Sequence, residues 1–116
     1  MTIHLEDLQP GMSRSISRTV SERDVELFGE VSGDHNPVHF DEEYARNTVF
    51  KGRVAHGVLS ISYISALLGN EMPGPGTIFL SATVHFKAPV RIGDTVVTTC
   101  MVREIGERRR VTFDCV

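Results

Sequence analysis

The chain has 116 residues, enough for one domain, in which roughly two-thirds of the surface of the unfolded chain becomes buried. Hydrophobic residues make up 41% and charged residues 23%, an ordinary globular balance, and the formal net charge is −3. That balance, with no long basic run, argues against a broad nucleic-acid footprint, and the short Arg108-Arg109-Arg110 cluster reads as a solvated turn and strand start.

Met1 to Pro10 mixes polar and apolar residues and does not read as a signal peptide. Pro10-Gly11 marks a turn, and Ser13 to Val20 alternates loosely as a short strand. Ser21 predicts a helix N-cap, with Glu22 and Asp24 in the first turn, Val25, Phe28 and Val31 on one face, and Gly33 as the stop. Asp34-His35-Asn36-Pro37 reads as a fixed loop, because proline disfavours helical geometry in the residue before it. Asp41 is placed to cap a short helix through Asn47.

His56-Gly57 opens a second helix, Val58 to Leu68, apolar around most of its circumference and therefore expected to be buried, with Gly69 as its C-cap. The stretch is too short and too rich in serine to span a bilayer. Ile78 to Lys87 alternates as a strand, Thr95 to Ile105 is rich in Val and Thr, Gly106-Glu107-Arg108 makes a hairpin connection, and Arg109 begins the next strand. A buried helix followed by hairpin-linked strands is an α+β layout, satisfied by a curved antiparallel sheet wrapped around that helix. The expectation is a single domain over residues 1–116 whose last strand lacks a further neighbour, as in a truncated chain or one module of a longer protein. Cys100 and Cys115 have no CxxC spacing, fall in apparent strands, and make no disulfide scaffold, which fits a reducing, cytoplasmic compartment.

Three places can carry chemistry. Asp34 and His39 are five positions apart across a loop stiffened by Asn36-Pro37, so a carboxylate and an imidazole can converge on one water beside a carbonyl. On spacing alone, an aspartate capping a turn and a packed histidine account for the same residues. At His56-Gly57, a helix start offers unpaired N–H groups, and glycine admits a ligand carbonyl; Gly57 serves equally for close helix packing. Ser65 can orient Asp34 or bond its own backbone one turn back. No metal is expected: His35 and His39 have i, i+4 spacing, but Pro37 makes a shared helix implausible, and no zinc-type Cys/His cluster exists.

Gly33-Asp34-His35-Asn36-Pro37-Val38-His39 resembles the D-x-N-P-x-H motif of the MaoC-like (R)-specific enoyl-CoA hydratases. His56-Gly57 before a serine-rich apolar helix, Gly74 to Leu80, and Phe86-Lys87-Ala88-Pro89-Val90 through Gly93-Asp94 extend the resemblance over Leu5 to Val116. The resemblance implies a hot-dog fold, a homodimer, and syn hydration of trans-2-enoyl-CoA to the (R)-3-hydroxyacyl-CoA. It implies Asp34 and His39 as the catalytic pair, Gly57 as amide donor to the thioester oxygen, and supporting roles for Asn36, Ser65 and His56. No cofactor is implied, CoA being part of the substrate. Lys51, Arg53, Lys87 and Arg91 are candidates for its phosphates. Members of the family continue past the Arg109 strand into one more strand, and this sequence does not. Two rivals are a hot-dog thioesterase, disfavoured because Val58 to Leu68 carries no carboxylate, and a non-catalytic acyl-CoA-binding or assembly module.

Overall fold

The computed structural model describes residues 2–116. It divides into two compact units, one comprising the chain up to Ser17 with Ile61–Ala82 and Val97–Val116, the other Arg18–Ser60 with Thr83–Val96.

In chain order the elements are a 3-10 turn at Leu5–Asp7, strand β1 (Ser13–Thr19), helices α1 (Glu22–Ser32), α2 (Pro37–Phe40), α3 (Glu42–Arg46) and α4 (Gly57–Asn70), and strands β2 (Thr95–Ile105) and β3 (Val111–Cys115). The sheet order is β1-β2-β3. The expected α+β architecture is thus present.

In the first unit the β2–β3 hairpin is antiparallel, pairing Cys100 with Cys115 and Ile105 with Val111, with an irregularity between Val102 and Glu104. Arg108 and Arg109 both take positive φ, 57° and 60°, in its turn. The strand therefore starts at Val111 and not at Arg109, because left-handed residues cannot extend a ladder. Leu8, Met72 and Val102 form one buried cluster with Ile105, Val111 and Phe113 against it. Leu67, Leu68 and Cys100 form another with Ile16 and Ile64. Both thiols are free. Burial pushes the Cys100 thiol up to about 12, assisted by the adjacent Cys115 thiol.

Helix α4 buries Leu59, Tyr63, Leu67 and Leu68, while Val58 is 54% exposed. Of the apolar positions around its circumference, Val58 lies outside the buried face. The helix also runs through Gly69 to Asn70: Glu71 and Met72 both donate to the Leu67 carbonyl, and Gly74 donates to Leu68, so the backbone of Gly74 and not Gly69 completes the C-terminus.

In the second unit, Ser21 caps α1 by a reciprocal capping box with Asp24, and Gly33 ends it at φ 77°. Val25 and Gly29 are the buried residues of α1, whereas Val31 of the expected face is exposed. Asp41 caps α3 through its bond to Tyr44, as expected. Proline at Pro37 starts α2 where the sequence suggested only loop, since the first helical position needs no N–H. Val38, Ala45 and Val54 form this unit's apolar cluster.

Residues 78–87, expected as a strand, form no ladder among the described residues. Alternation is present, but Ile78, Leu80 and Phe86 are exposed, and a strand is defined by a hydrogen-bonded neighbour that this segment lacks here.

Candidate active site

The site lies within the second unit and begins where α1 stops. Left-handed Gly33 turns the chain, and its N–H bonds the Gly29 carbonyl at 2.9 Å. Asp34 donates its N–H to Ser32 Oγ at 3.0 Å and accepts from the Asn36 N–H through Oδ1 at 3.2 Å. Asn36 in turn accepts from the Val38 N–H at 3.2 Å and caps α2. Each short polar side chain thus takes up a backbone donor two residues on, which holds the loop without regular structure. His35, before α2, and His39, within it, do not share a helix.

His39 is buried, and its Nδ1 lies 2.8 Å from the Val54 carbonyl. A carbonyl only accepts, so Nδ1 carries the proton and the Nε2 lone pair is left for chemistry. The backbone of His39 is braced as well. Arg53 donates from Nε to the His39 carbonyl at 2.8 Å, and its two terminal nitrogens grip the Glu22 carboxylate at 3.0 and 2.8 Å. These guanidinium hydrogen bonds hold the Glu22 carboxyl below its ordinary value of 4.5, against a smaller opposing effect of burial.

His56 is 1% exposed. Its Nε2 lies 3.0 Å from the Asp34 carbonyl, so this nitrogen is the donor. Its ring stacks on His39 at 3.8 Å between centroids and 30° between planes. Phe28 packs against it at 4.8 Å, and Phe40 meets it edge-on at 5.7 Å. Asp34, His39 and His56 each offer one polar atom, and all three atoms lie within 4.8 Å of one another.

Gly57 follows as the first residue of α4, so its N–H is among those with no partner within the helix. A Cβ on Gly57 would stand 3.0 Å from Cε1 of Phe86. Gly57 thus packs closely against Phe86, a residue outside the described strands. Ser65 is an exposed residue of α4 in the first unit, and its link to the aspartate rests on the resemblance.

Of the four candidate phosphate cations, Lys51, Arg53 and Arg91 line one cleft of about 430 Å³ together with Glu22 and Glu42, and Lys87 does not. Two of the three have structural work. Arg53 commits three of its five N–H donors as described, and Arg91 donates to the Phe50 carbonyl. Sequence reasoning missed the aromatic surround of Phe28, Phe40 and Phe86 and the brace from Arg53. Gly29 was also missed, although a glycine inside a helical pattern marks a close approach: a Cβ there would lie 2.7 Å from Cζ of Phe40 and 3.5 Å from the Asp34 carbonyl oxygen.

Residues 7–114 match the family described as MaoC like domain. The chain is 50% identical to an (R)-specific enoyl-CoA hydratase of Rhodospirillum rubrum over 111 residues, covering 95% of this chain and 77% of the relative. It is 44% identical to a 3-hydroxybutyryl-CoA dehydratase of Methylorubrum extorquens, covering 97% and 73%. Among solved structures, an R-hydratase from Pseudomonas aeruginosa superposes with a TM-score of 0.91 at 42% identity, covering 98% of this chain and 74% of that one. An (R)-hydratase of Aeromonas caviae involved in PHA biosynthesis does so at 0.89 and 33%, covering 95% and 84%. With its motif, its fold and nearly its whole length in agreement, the chain belongs to the MaoC-like family and has its hot-dog fold.

Proposed function

We propose that the protein is a hydro-lyase that adds water across the double bond of a trans-2-enoyl-CoA to give the (R)-3-hydroxyacyl-CoA, and runs the reverse dehydration. The observation that carries this reading is the convergence of the Asp34 carboxylate and the His39 ring within 4.8 Å, with His39 Nδ1 committed to Val54. A carboxylate oxygen and a ring nitrogen within that separation are within reach of one bridging water. The names of the Rhodospirillum and Methylorubrum relatives supply the substrate class.

In this reaction the thioester carbonyl accepts a hydrogen bond from the Gly57 N–H, where the positive end of α4 favours the charge developing on an enolate. The pair takes a proton from water, the oxygen bonds to the β-carbon, and a proton passes to the α-carbon on the same face. Either member can be the base. No cofactor enters, and CoA leaves as part of the product. The CoA phosphates are assigned to the cleft of Lys51 and Arg91, where the donors left over on Arg53 contribute. The exposed apolar side chains of Ile78, Leu80, Val84 and Phe86 support a second copy of the chain as partner, giving a homodimer.

The test follows the enoyl absorbance of crotonyl-CoA and of longer enoyl-CoAs. Wild type bleaches it, while Asp34→Asn and His39→Ala each slow the reaction by about three orders of magnitude with the fold retained. A folded dimer that turns over none of these substrates would instead be an acyl-CoA-binding module. Release of free thiol would make it a thioesterase.

A further inference from the structure

We infer that His56 is a positioning residue that fixes the distance between Asp34 and His39, by bonding the backbone of the first and stacking on the ring of the second. The inference deepens the proposed hydration and rests on it for its kinetic consequence.

The imidazole is a poor choice for packing alone. Its Nδ1 is buried and has no hydrogen-bond partner, a standing cost that a phenyl or isobutyl group would avoid. What the imidazole supplies in return is the Nε2–H, donated to the Asp34 carbonyl at 3.0 Å. Asp34 needs such an anchor. Its side chain is exposed, and among the described residues its carboxylate is tied by the 3.2 Å bond from Asn36, two residues away on the same loop. The Asn36 bond fixes the local turn. The His56 bond, across 22 positions, ties that turn to the residue before α4.

The ring does the second half of the work. One contact is His39 at 3.8 Å, and Phe28 and Phe40 hold the imidazole at 4.8 and 5.7 Å. Phe40 follows His39 in α2, so the same short helix carries both the stacked ring and one wall of the clamp. A clamped ring has one orientation, and with it both the Asp34 carbonyl and the His39 plane are set. His56 does not reach the reacting atoms through Nε2, which is occupied, and at 1% exposure it offers no face to a substrate. Its effect passes through the other two residues.

The two halves separate by substitution. His56→Phe keeps a ring and loses the donor. His56→Gln places an amide N–H at about the reach of Nε2 and loses the ring. His56→Ala loses both. In crotonyl-CoA hydration, kcat falls about 10- to 100-fold for His56→Phe and His56→Ala, while KM stays within about threefold, and His56→Gln recovers at least about half of the loss on a logarithmic scale. Melting temperatures report folding in parallel. Amide hydrogen exchange over residues 34–36 gives a readout independent of turnover: it quickens by about tenfold in His56→Phe and stays near wild type in His56→Gln. Wild-type kcat and exchange in folded His56→Phe would overturn the inference, as would a folded His56→Gln no better than His56→Ala. A wild-type protein without hydratase activity would defeat the proposed function alone, and the exchange data would still decide whether His56 anchors the loop.

Discussion

Gly29→Ala is the most informative change in the frame around the site. On helix propensity alone it stabilises α1 by about 1 kcal/mol, since glycine is a poor residue for a helix interior. The structure reverses that expectation. The new Cβ would stand 2.7 Å from Cζ and 3.4 Å from Cε2 of Phe40. Carbon atoms in contact prefer about 3.5–4.0 Å, so the ring must retreat by about 0.8 Å. Overpacking of this kind costs about 1–3 kcal/mol, leaving a net loss of about 0–2 kcal/mol. For a chain of this length 1 kcal/mol corresponds to about 4 °C in Tm, so calorimetry should find Tm lower by up to about 8 °C. Activity should suffer more than stability. Phe40 lies against His39, His35 and His56, and the Asp34 carbonyl is 3.5 Å from the added methyl group. A shift near 1 Å in such a site costs about 100-fold in rate, so kcat on crotonyl-CoA should drop by at least tenfold at a temperature where the variant is folded. A variant with raised Tm and kcat within twofold of wild type would refute the claim that α1 and Phe40 are packed at the limit set by a bare Cα.

Arg53→Ala removes the fork on Glu22 and the donor to the His39 carbonyl together; it should lower stability by about 1–2 kcal/mol by denaturant titration and lower kcat, with Arg53→Lys intermediate because one ammonium cannot span both acceptors. Glu22 has its folded pKa lowered from 4.5 by Arg53, so its contribution is present above that ordinary value and is lost as the pH falls through the lowered one; melting curves between about pH 3 and pH 6 should show wild type converging on Glu22→Gln at the acid end. Cys100 has the opposite sign. Its folded thiol holds its proton up to about 12 while the unfolded thiol releases it near 9.0, so stability falls as the pH rises through that window, and Cys100→Ala should flatten this part of the profile in denaturant titrations at about pH 8 and pH 10.5.

What could be read from the sequence followed from where the determinants lie. Ser21, Gly33 and Asp41 mark helix ends by bonds to residues within four positions, and β2 coincides with the Val- and Thr-rich run from Thr95 to Ile105. Determinants carried by distant neighbours were not legible. The 78–87 segment alternates like a strand, yet alternation states only that two faces differ and says nothing of what pairs with the backbone between them. Helix α4 reads as apolar on most sides, and it buries Leu59, Tyr63, Leu67 and Leu68 while Val58 stays exposed, a difference set by what packs against each side. Gly69 looked like a C-cap, but the helix runs on to Asn70, and the carbonyls of Leu67 and Leu68 find donors at Glu71, Met72 and Gly74.

The same division runs through the site. The loop that carries Asp34, Asn36 and His39 was legible because the Asp-x-Asn-Pro-x-His run encodes its own backbone: two side-chain bonds to N–H groups two residues on, and a proline at the first turn of α2. The distance between the two groups proposed to react is a different quantity. It depends on His39 bonding Val54 across 15 positions, on His56 bonding Asp34 across 22, and on Phe40 fitting over Gly29, and no spacing rule connects those pairs. A motif of this kind therefore identifies groups able to move a proton, whereas the rate at which they do so depends on packing around them. Mutations at Asp34 and His39 test the first statement. Only mutations at Gly29, Arg53 and His56, which leave both reactive groups in place, test the second.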